Sequence, residues 1–372
     1  MFNRSCHRAL KREGMFLRVG SVSTEHPRGE GVLVRICFVG VCGTDLQILN
    51  GSRPDITDIL GHEGVGIVVQ TGGASAFRVG ETVIFNPTAQ MSSGKILGHN
   101  VPGLFQEYFY VDAAAVDRGL IVSANDYQPS RLAALAEPLA AVIYGHELVM
   151  RRVTELQTVA VFGAGPLGVL SSLYLGGLGI EILLVHPRMA RLNTAISLGV
   201  IKPRSAIASG GELARRMVER NGGREFDAAL ICTTRKGAPE ALSVAAQVVK
   251  SGGCIDMMAN YPEEGAALDG ISAEALRSVR AANACGMPAG GEYLTLRLAD
   301  RCIAITGHRG TAAHQLRRAM QLLASNESPY ERIITHTLSI QDAAEAVSRL
   351  ACSIERTLFG CDCIKAVIDL AS

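Results

Sequence analysis

Three short fragments of the sequence carry side chains that bind transition metals. Cys42 begins a Cys-Gly-Thr-Asp run after an apolar segment, and His62 and Glu63 follow in Gly-His-Glu-Gly. Glu137 comes far downstream in Ala-Glu-Pro-Leu. A thiolate, an imidazole and a carboxylate form a mixed set that suits zinc, and three protein ligands leave one position open for water or substrate. Each fragment alone is weak evidence, because a lone Cys or His is more often a core residue.

A glycine-rich loop is the second chemical feature. Gly163, Gly165, Pro166, Leu167 and Gly168 form most of Gly-Ala-Gly-Pro-Leu-Gly, which follows the strand-like run TVAVF and precedes an apolar stretch. Glycine permits a tight turn and close backbone approach, and a helix N-terminus offers N–H groups to a pyrophosphate. A plain tight turn is the alternative, but a second strand-like run, EILLV, favours a dinucleotide site.

The residues after that second strand bear on the choice of cofactor. An NAD-preferring site places an acidic residue there to accept the ribose hydroxyls, but this chain has His186, Pro187 and Arg188. With no carboxylate to repel a 2′-phosphate, and with Arg188 and Arg191 able to pair with it, we expect NADP(H) to be favoured over NAD(H). In the alternative, both arginines are solvated helix charges.

Hydrophobic patterning predicts a β-rich opening and an alternating middle. Short runs at 31–41, 64–70 and 79–85 predict strands separated by glycine-bearing turns. From Thr158, strand-like and helix-like runs alternate, which predicts a doubly wound parallel sheet with helices on both faces. Residues 263–300 are less regular and predict an insertion or interface element. The class is therefore α/β.

Length and composition restrict the class of protein and its partners. A chain of 372 residues exceeds the usual single core, which predicts two domains. The net charge of +1, without a basic and aromatic stretch, argues against a nucleic-acid partner. The N-terminus lacks the features of a secretory signal and the cysteines are scattered, so we expect a cytoplasmic protein with reduced thiols. The uncharged stretch 158–180 is long enough for a membrane span, but its six glycines favour strand, loop and helix.

The fragments CGTD, GHE, AEPLA and VAVFGAGPLG, in this order and spacing, resemble the zinc-dependent medium-chain dehydrogenase/reductase family. The similarity is greatest to its branch of polyol, threonine and glucose dehydrogenases. It implies a GroES-like zinc-binding catalytic domain formed by residues 1–150 and 330–372. It also implies a Rossmann dinucleotide-binding domain over 151–329, with 263–300 as an insertion, and a homodimer or homotetramer.

The resemblance also implies roles for individual residues. The residues at one catalytic zinc would be Cys42, His62, Glu137 and, as an exchangeable fourth ligand or close neighbour, Glu63. Asp45 would hold the imidazole of His62 in its tautomer. Thr44 would hydrogen-bond the substrate hydroxyl or the zinc-bound water.

The sequence also departs from the family pattern. The stretch 85–108 contains no cysteine where many members have four, so we expect no structural zinc. Gln47 stands where many members place a relay histidine, and its amide does not carry a proton at neutral pH. Tyr144 stands where a histidine often follows the EPLA motif. His99 lines the substrate cleft or belongs to a surface loop; the sequence leaves both open.

These features together predict a zinc-dependent enzyme that transfers a hydride between NAD(P)(H) and a polar secondary alcohol or ketone. A polyol, a cyclitol or an amino alcohol fits the resemblance, and no membrane partner is expected. One alternative is a zinc-free NADPH reductase of quinones or enones on the same fold, although such enzymes lack the Cys, His and Glu set. The other is a cofactor-binding protein without turnover.

Overall fold

The computed structural model describes residues 5–124, 127–265, 268–286, 290–298, 300–325 and 328–371. The chain divides into two compact units. Unit 1 comprises Met1–Ala140 and Ala312–Ser372, and unit 2 comprises Ala141–Thr311. The sequence predicts boundaries after residues 150 and 329, whereas the structure assigns 141–150 to unit 2 and 312–329 to unit 1.

The strands follow the chain in three groups. Residues before 141 form β1 (Cys6–Glu13), β2 (Phe16–Ser23), β3 (Val32–Gly40), β4 (Glu63–Thr71), β5 (Thr82–Phe85), β6 (Tyr108–Val111) and β7 (Ile121–Ser123). Unit 2 contains β8 (Thr158–Phe162), β9 (Glu181–His186), β10 (Ala206–Ala208), β11 (Phe226–Ile231), β12 (Val249–Asp256), β13 (Leu294–Arg297) and β14 (Cys302–Thr306). The C-terminal part forms β15 (Ile334–Ser339), β16 (Thr357–Leu358), β17 (Cys361–Asp362) and β18 (Lys365–Asp369).

The helices lie between strands along the chain. They are α1 (Gly43–Leu49), α2 (Ala113–Asp117), α3 (Ala136–Met150), α4 (Pro166–Gly177), α5 (Met189–Ser197), α6 (Leu213–Arg220), α7 (Ala238–Val248), α8 (Ala273–Ala282), α9 (Ala313–Leu323) and α10 (Ile340–Cys352). Short 3₁₀ turns occur at Met91–Ser93, Arg131–Leu135, Pro203–Ser205, Arg235–Gly237 and Pro329–Ile333. The helix α1 lies inside the opening that the sequence predicts as strands alone.

Unit 1 is built around a sheet with the strand order β15-β18-β3-β4-β5-β7, and β6 also pairs with β3. The strand β3 reads VLVRICFVG and is buried along most of its length. The C-terminal strand β18 pairs antiparallel with β3, with Val367 opposite Gly40. This pairing brings the end of the chain beside the residues that precede Cys42.

Unit 2 holds a seven-stranded sheet with the order β10-β9-β8-β11-β12-β14-β13. All its neighbours are parallel except β13, which pairs antiparallel with β14. The strand β8 is buried at every residue, as expected for a parallel sheet covered by helices on both faces. The order changes direction at β8, which lies between β9 and β11, and ligands of such sheets bind at the carboxyl ends of the strands there. The predicted doubly wound sheet is confirmed.

The segment 263–300 contributes regular structure to unit 2. It contains α8 and β13, and β13 is an edge strand of the sheet. A polar residue fixes the end of α8, because Asn283 donates from Nδ2 to Thr306 Oγ1 at 3.2 Å and to Gly307 O at 2.8 Å. The segment that the sequence predicts as an insertion therefore completes one side of the sheet.

One helical stretch of the described residues, Arg131–Met150, is long and apolar enough to cross a membrane by length and composition. The structure buries 72% of its most apolar window, as in the core helix of a folded domain. The stretch 158–180 instead forms β8, the glycine-rich loop and α4, as the sequence predicts.

Candidate active site

Cys42 lies directly before α1, and Asp45 fixes it there. Cys42 has extended backbone angles at the N-cap position of the helix. The backbone N–H of Cys42 donates to Asp45 Oδ2 at 2.8 Å, which is one half of a capping box. The Cys-Gly-Thr-Asp spacing thus determines the start of the helix and the position of the thiol together.

The same carboxylate reaches a second segment of the chain. Asp45 Oδ1 accepts a hydrogen bond from the N–H of Gly61 at 3.1 Å and lies 3.4 Å from His62 Nδ1. Burial would raise the pKa of Asp45, but His62 and the backbone donors outweigh it and the pKa is lowered. Asp45 therefore holds Cys42 and His62 in one place, and it faces one nitrogen of the imidazole so that the other, Nε2, is left for a ligand.

Three potential metal ligands converge here. One ligand atom each from Cys42, His62 and Glu63 lie within 4.8 Å of one another. His62 and Glu63 are buried, and Cys42 is partly accessible. A thiolate, an imidazole and a carboxylate at this separation fit a zinc ion, whose bonds to such ligands are about 2.0–2.3 Å long.

Lys365 is a member of the site that the sequence did not reveal. It begins β18 and is only 1% exposed. Its Nζ donates to the carboxylate of Glu63 and to Val41 O, the latter at 3.0 Å. Burial would lower the pKa of Lys365, but Glu63 outweighs it and the pKa is raised, so the amine stays charged. The available signal was a lysine at an inward position of the otherwise apolar run CIKAVI.

Gly40, at the end of β3, makes room for this ion pair. A Cβ at residue 40 would collide with the carboxylate of Glu63 and would lie 2.9 Å from Lys365 Cε. Distances below 3.0 Å are essentially never seen for a real Cβ, so any side chain at this position would displace the pair. Residue 40 must therefore be glycine, because the side chains of Glu63 and Lys365 approach it closely.

Glu137 lies in the first turn of α3, near the three ligands but outside their group. Among the described residues, the groups with ligand atoms within 4.8 Å of one another do not include it. Burial raises the pKa of Glu137 to about 7, His62 opposes this and Glu63 adds to it. A carboxylate in such surroundings is stabilised by a nearby cation.

The glycine-rich loop of unit 2 has the geometry of a phosphate cradle. It connects β8 to α4, with Gly165 at the N-cap and Pro166 in the first turn. Gly163 has φ +112, and a Cβ there would lie 2.5 Å from Cys232 O, so glycine is required for both reasons. The N-cap residue Gly165 makes no side-chain cap hydrogen bond, which favours an anion as the partner of the first N–H groups of the helix.

Comparison with known proteins agrees with both units. Residues 28–118 match the Alcohol dehydrogenase GroES-like domain family. The chain is 30% identical over 192 residues to 2-dehydro-3-deoxy-L-galactonate 5-dehydrogenase of Pseudoalteromonas atlantica, covering 47% of this chain and 54% of that protein. It is 28% identical over 200 residues to sorbitol dehydrogenase of Bombyx mori, covering 49% and 57%. The matched region thus spans about half the length of these relatives.

The fold is shared over nearly the whole chain. The rspB alcohol dehydrogenase of Escherichia coli CFT073, solved with NADH, superposes with a TM-score of 0.70 over 98% of this chain and 100% of that one, at 21% identity. Residues 28–118 thus match the GroES-like domain of alcohol dehydrogenases, and the chain as a whole shares the fold of this solved dehydrogenase. The expected pairing of a GroES-like domain with a Rossmann domain is confirmed.

Residues 85–108 include a loop whose backbone is hydrogen-bonded to the segment that carries His62. Residues 85–108 contain no cysteine. The N–H of Gly103 donates to Ile59 O at 2.8 Å, and the N–H of Leu104 donates to Gly61 O at 2.9 Å. The loop therefore runs beside the segment that carries His62, and it places the ring of His99 5.1 Å from the ring of His62.

Thr44 and Gln47 both lie in α1, and both are partly exposed. The carbonyl oxygen of Gln47 accepts a hydrogen bond from Arg53 N at 3.2 Å. Tyr144 is fully buried in unit 2, where its ring packs 4.9 Å from that of His308. Tyr144 thus belongs to the interior of unit 2.

The residues expected to select the cofactor follow β9. His186 ends the strand, and its Nδ1 accepts a hydrogen bond from Arg188 N at 3.0 Å, which forms a tight turn before α5. Arg188 is partly exposed, whereas Arg191 is only 4% exposed. The alternative of two solvated helix charges is therefore wrong for Arg191.

Proposed function

We propose that this protein is a zinc-dependent oxidoreductase that transfers a hydride between a nicotinamide cofactor, NADP(H) in preference to NAD(H), and a polar secondary alcohol or ketone. The observation that carries the proposal is the convergence of Cys42, His62 and Glu63 within 4.8 Å. A zinc-free quinone or enone reductase has no use for these three side chains.

The residues of unit 1 would hold one zinc ion per chain. Cys42 and His62 supply sulfur and nitrogen, and Glu63 or Glu137 supplies a carboxylate oxygen. Bound there, zinc provides a Lewis acid that polarises an alcohol or carbonyl oxygen. No second zinc is proposed, because residues 85–108 contain no cysteine.

The chain's own residues then position the substrate and move a proton. Asp45 orients the imidazole of His62 through the 3.4 Å contact at Nδ1. Thr44 is two residues from Cys42, and its hydroxyl can accept the proton of the substrate alcohol and pass it on. Gln47 has no proton to exchange at neutral pH.

Unit 2 would bind the cofactor. The N–H groups at the start of α4 would hold the pyrophosphate, and the glycines from Gly163 to Gly168 would allow its close approach. The similar rspB structure holds NADH, which supports a nicotinamide cofactor. Preference for the 2′-phosphate is supported by His186 in place of an acid and by the partly exposed Arg188.

The substrate class and the assembly follow from the relatives. Sorbitol dehydrogenase and 2-dehydro-3-deoxy-L-galactonate 5-dehydrogenase act, by their names, on polyhydroxylated compounds. We extend this class to the present chain as a polyol, cyclitol or amino alcohol. A homodimer or homotetramer is also proposed, supported by β13 at the edge of the sheet in unit 2.

A cofactor-linked screen tests the proposal. Purified protein with added zinc is mixed with NADP⁺ or NAD⁺ and a panel of polyols, amino alcohols and simple alcohols, and with NADPH and ketones or quinones. We expect turnover of at least one polyhydroxy substrate that is lost after chelation and restored by zinc. Turnover of quinones alone, unaffected by chelation, favours the zinc-free reductase; cofactor binding without turnover favours the non-catalytic alternative.

A further inference from the structure

Three polar side chains lie in a row that ends beside the candidate metal site, and none of them belongs to the candidate ligands. They are Arg53, Asp55 and His99, whose side chains are 17%, 16% and 12% exposed. Arg53 Nε donates to Asp55 Oδ2 at 2.8 Å. Asp55 Oδ1 lies 3.5 Å from His99 Nδ1, and Arg53 approaches the same nitrogen at 3.4 Å. Both groups therefore act on one nitrogen of the imidazole.

Hydrogen bonds to backbone atoms fix the position of these three residues. The N–H of Thr57 donates to His99 O at 3.1 Å, which joins the segment after α1 to the loop 85–108. A side chain of β1 adds a further bond, because Arg12 donates to Asp55 O at 3.1 Å. The imidazole of His99 is thereby held at the edge of the His62 ring, with 5.1 Å between centroids and 66° between planes.

The second nitrogen of His99 has a different environment. Within the part of the chain that the structure describes, His99 Nε2 makes no hydrogen bond. The ion pair of Arg53 and Asp55 holds the imidazole at Nδ1, the ring lies beside the candidate metal ligand His62, and Nε2 is unused. Binding sites orient their ligands with a few polar groups that are held in place in this way. With its side chain 12% exposed and its ring beside that of His62, His99 is largely covered and only partly open to solvent.

We propose that His99 is a specificity-determining residue, whose Nε2 hydrogen-bonds a second hydroxyl of the substrate next to the reacting one. The inference rests on the proposed function and makes it narrower. The substrate class is then a vicinal diol or longer polyol, because a monohydric alcohol leaves the polar nitrogen without a partner. Asp55 and Arg53 are positioning residues that act through His99.

The test compares 2,3-butanediol with 2-butanol, which differ by one hydroxyl. The ratio of kcat/KM for the two alcohols is measured with zinc-loaded wild type, His99→Leu and His99→Gln, and zinc content is measured in each. The ratio should exceed 10 in the wild type and fall by roughly 10-fold or more in His99→Leu, since lost hydrogen bonds strongly affect discrimination. His99→Gln, which keeps a polar group, should retain much of the ratio. His26→Asn, an exposed histidine with Nδ1 3.0 Å from Gln70 Oε1, is the control and should leave the ratio unchanged.

The outcomes separate the inference from the proposed function. An active wild type whose ratio is unchanged in His99→Leu overturns the role of His99 and leaves the proposed function intact. Equal losses on both alcohols, or loss of zinc from His99→Leu, assign His99 to support of the metal site and also overturn the inference. A zinc-loaded wild type that is inactive on the whole panel overturns the proposed function, and the inference with it.

Discussion

The amine of Lys365 lies against the carboxylate of Glu63, although the two residues are 302 positions apart in the chain. Their side chains are 1% and 2% exposed, so neither charge is solvated. A buried carboxylate without its partner is costly, and removal of one member of such a pair is far more damaging than replacement of both. The C-terminal strand therefore stabilises the charge at one of the candidate metal ligands.

Replacement of Lys365 should destabilise unit 1. For Lys365→Met we expect a loss of about 3–5 kcal/mol in the free energy of unfolding, because the carboxylate of Glu63 is left buried without its cation. Urea denaturation of chelator-treated protein measures this. Lys250→Met is the matched control: Lys250 is 44% exposed and pairs with Asp227, so the loss should stay below about 1 kcal/mol. Equal losses in the two variants would contradict the account.

Thr44 should matter more for turnover than Gln47, its neighbour on α1. Thr44→Val removes the hydroxyl that passes the substrate proton and should lower kcat by about 10²-fold with zinc retained. Gln47→Ala should have little effect. Steady-state kinetics with zinc analysis compares the two. If the Gln47 variant is as impaired as the Thr44 variant, the proton route is wrongly assigned.

Arg188 should set the preference for NADP(H). Loss of a hydrogen-bonded charge on a phosphate costs about 1.5–3 kcal/mol, so Arg188→Ala should lower the NADP-to-NAD ratio of kcat/KM by about 10-fold or more. Arg220→Ala, at the exposed end of α6, is the control. A wild type that uses NAD as well as NADP, or a ratio unchanged in the Arg188 variant, refutes the electrostatic argument.

The sequence predicted the parts of the site that depend on residue type and local spacing. Cys42 and Asp45 are three residues apart, so one helix start positions both, and the glycine-rich loop lies within a single β-α connection. Lys365 could not be predicted, because its partnership with Glu63 depends on the antiparallel pairing of β18 with β3. The burial of Arg191 likewise depends on how α5 packs, which charge alone does not reveal.

A second group of buried polar side chains lies in unit 2. Asp256 ends β12, and its Oδ2 is 4.0 Å from His308 Nε2. Within the described part of the chain, neither carboxylate oxygen of Asp256 accepts a hydrogen bond. Burial raises the pKa of Asp256 to about 7, with Arg280 opposing, and burial lowers the pKa of His308 to about 3, with Arg280 adding to the effect. At acidic to neutral pH the folded protein therefore favours the neutral forms of both groups.

Because of Asp256, we expect the free energy of unfolding to fall as pH rises. Between about pH 4 and pH 7 the folded state keeps the proton of Asp256 while the unfolded state releases it, so the free energy of unfolding falls with pH. Asp256→Asn should match the wild type near pH 4 and be more stable at pH 8, by at most about 4 kcal/mol.

Asp227→Asn is the control, and we expect it to change the free energy of unfolding at pH 8 in the opposite direction. Burial would raise the pKa of Asp227, but Lys250 and two backbone N–H groups outweigh it and the pKa is lowered. This carboxylate stabilises the fold above its unfolded pKa, and the contribution is lost as pH falls. Its replacement should therefore reduce stability at pH 8. If urea denaturation at pH 4 and pH 8 shows that both substitutions change the free energy of unfolding in the same direction, Asp256 is wrongly described as a buried acid that keeps its proton.

Counting zinc in the purified protein tests the central claim most directly. Elemental analysis of protein prepared without chelator should find one zinc per chain. Cys42→Ala should lose both the metal and alcohol-dependent reduction of NADP⁺, while Cys302→Ala, with an exposed thiol in unit 2, should keep both. The absence of zinc from the wild type, two zinc ions per chain, or full zinc and activity in Cys42→Ala would contradict the proposed site.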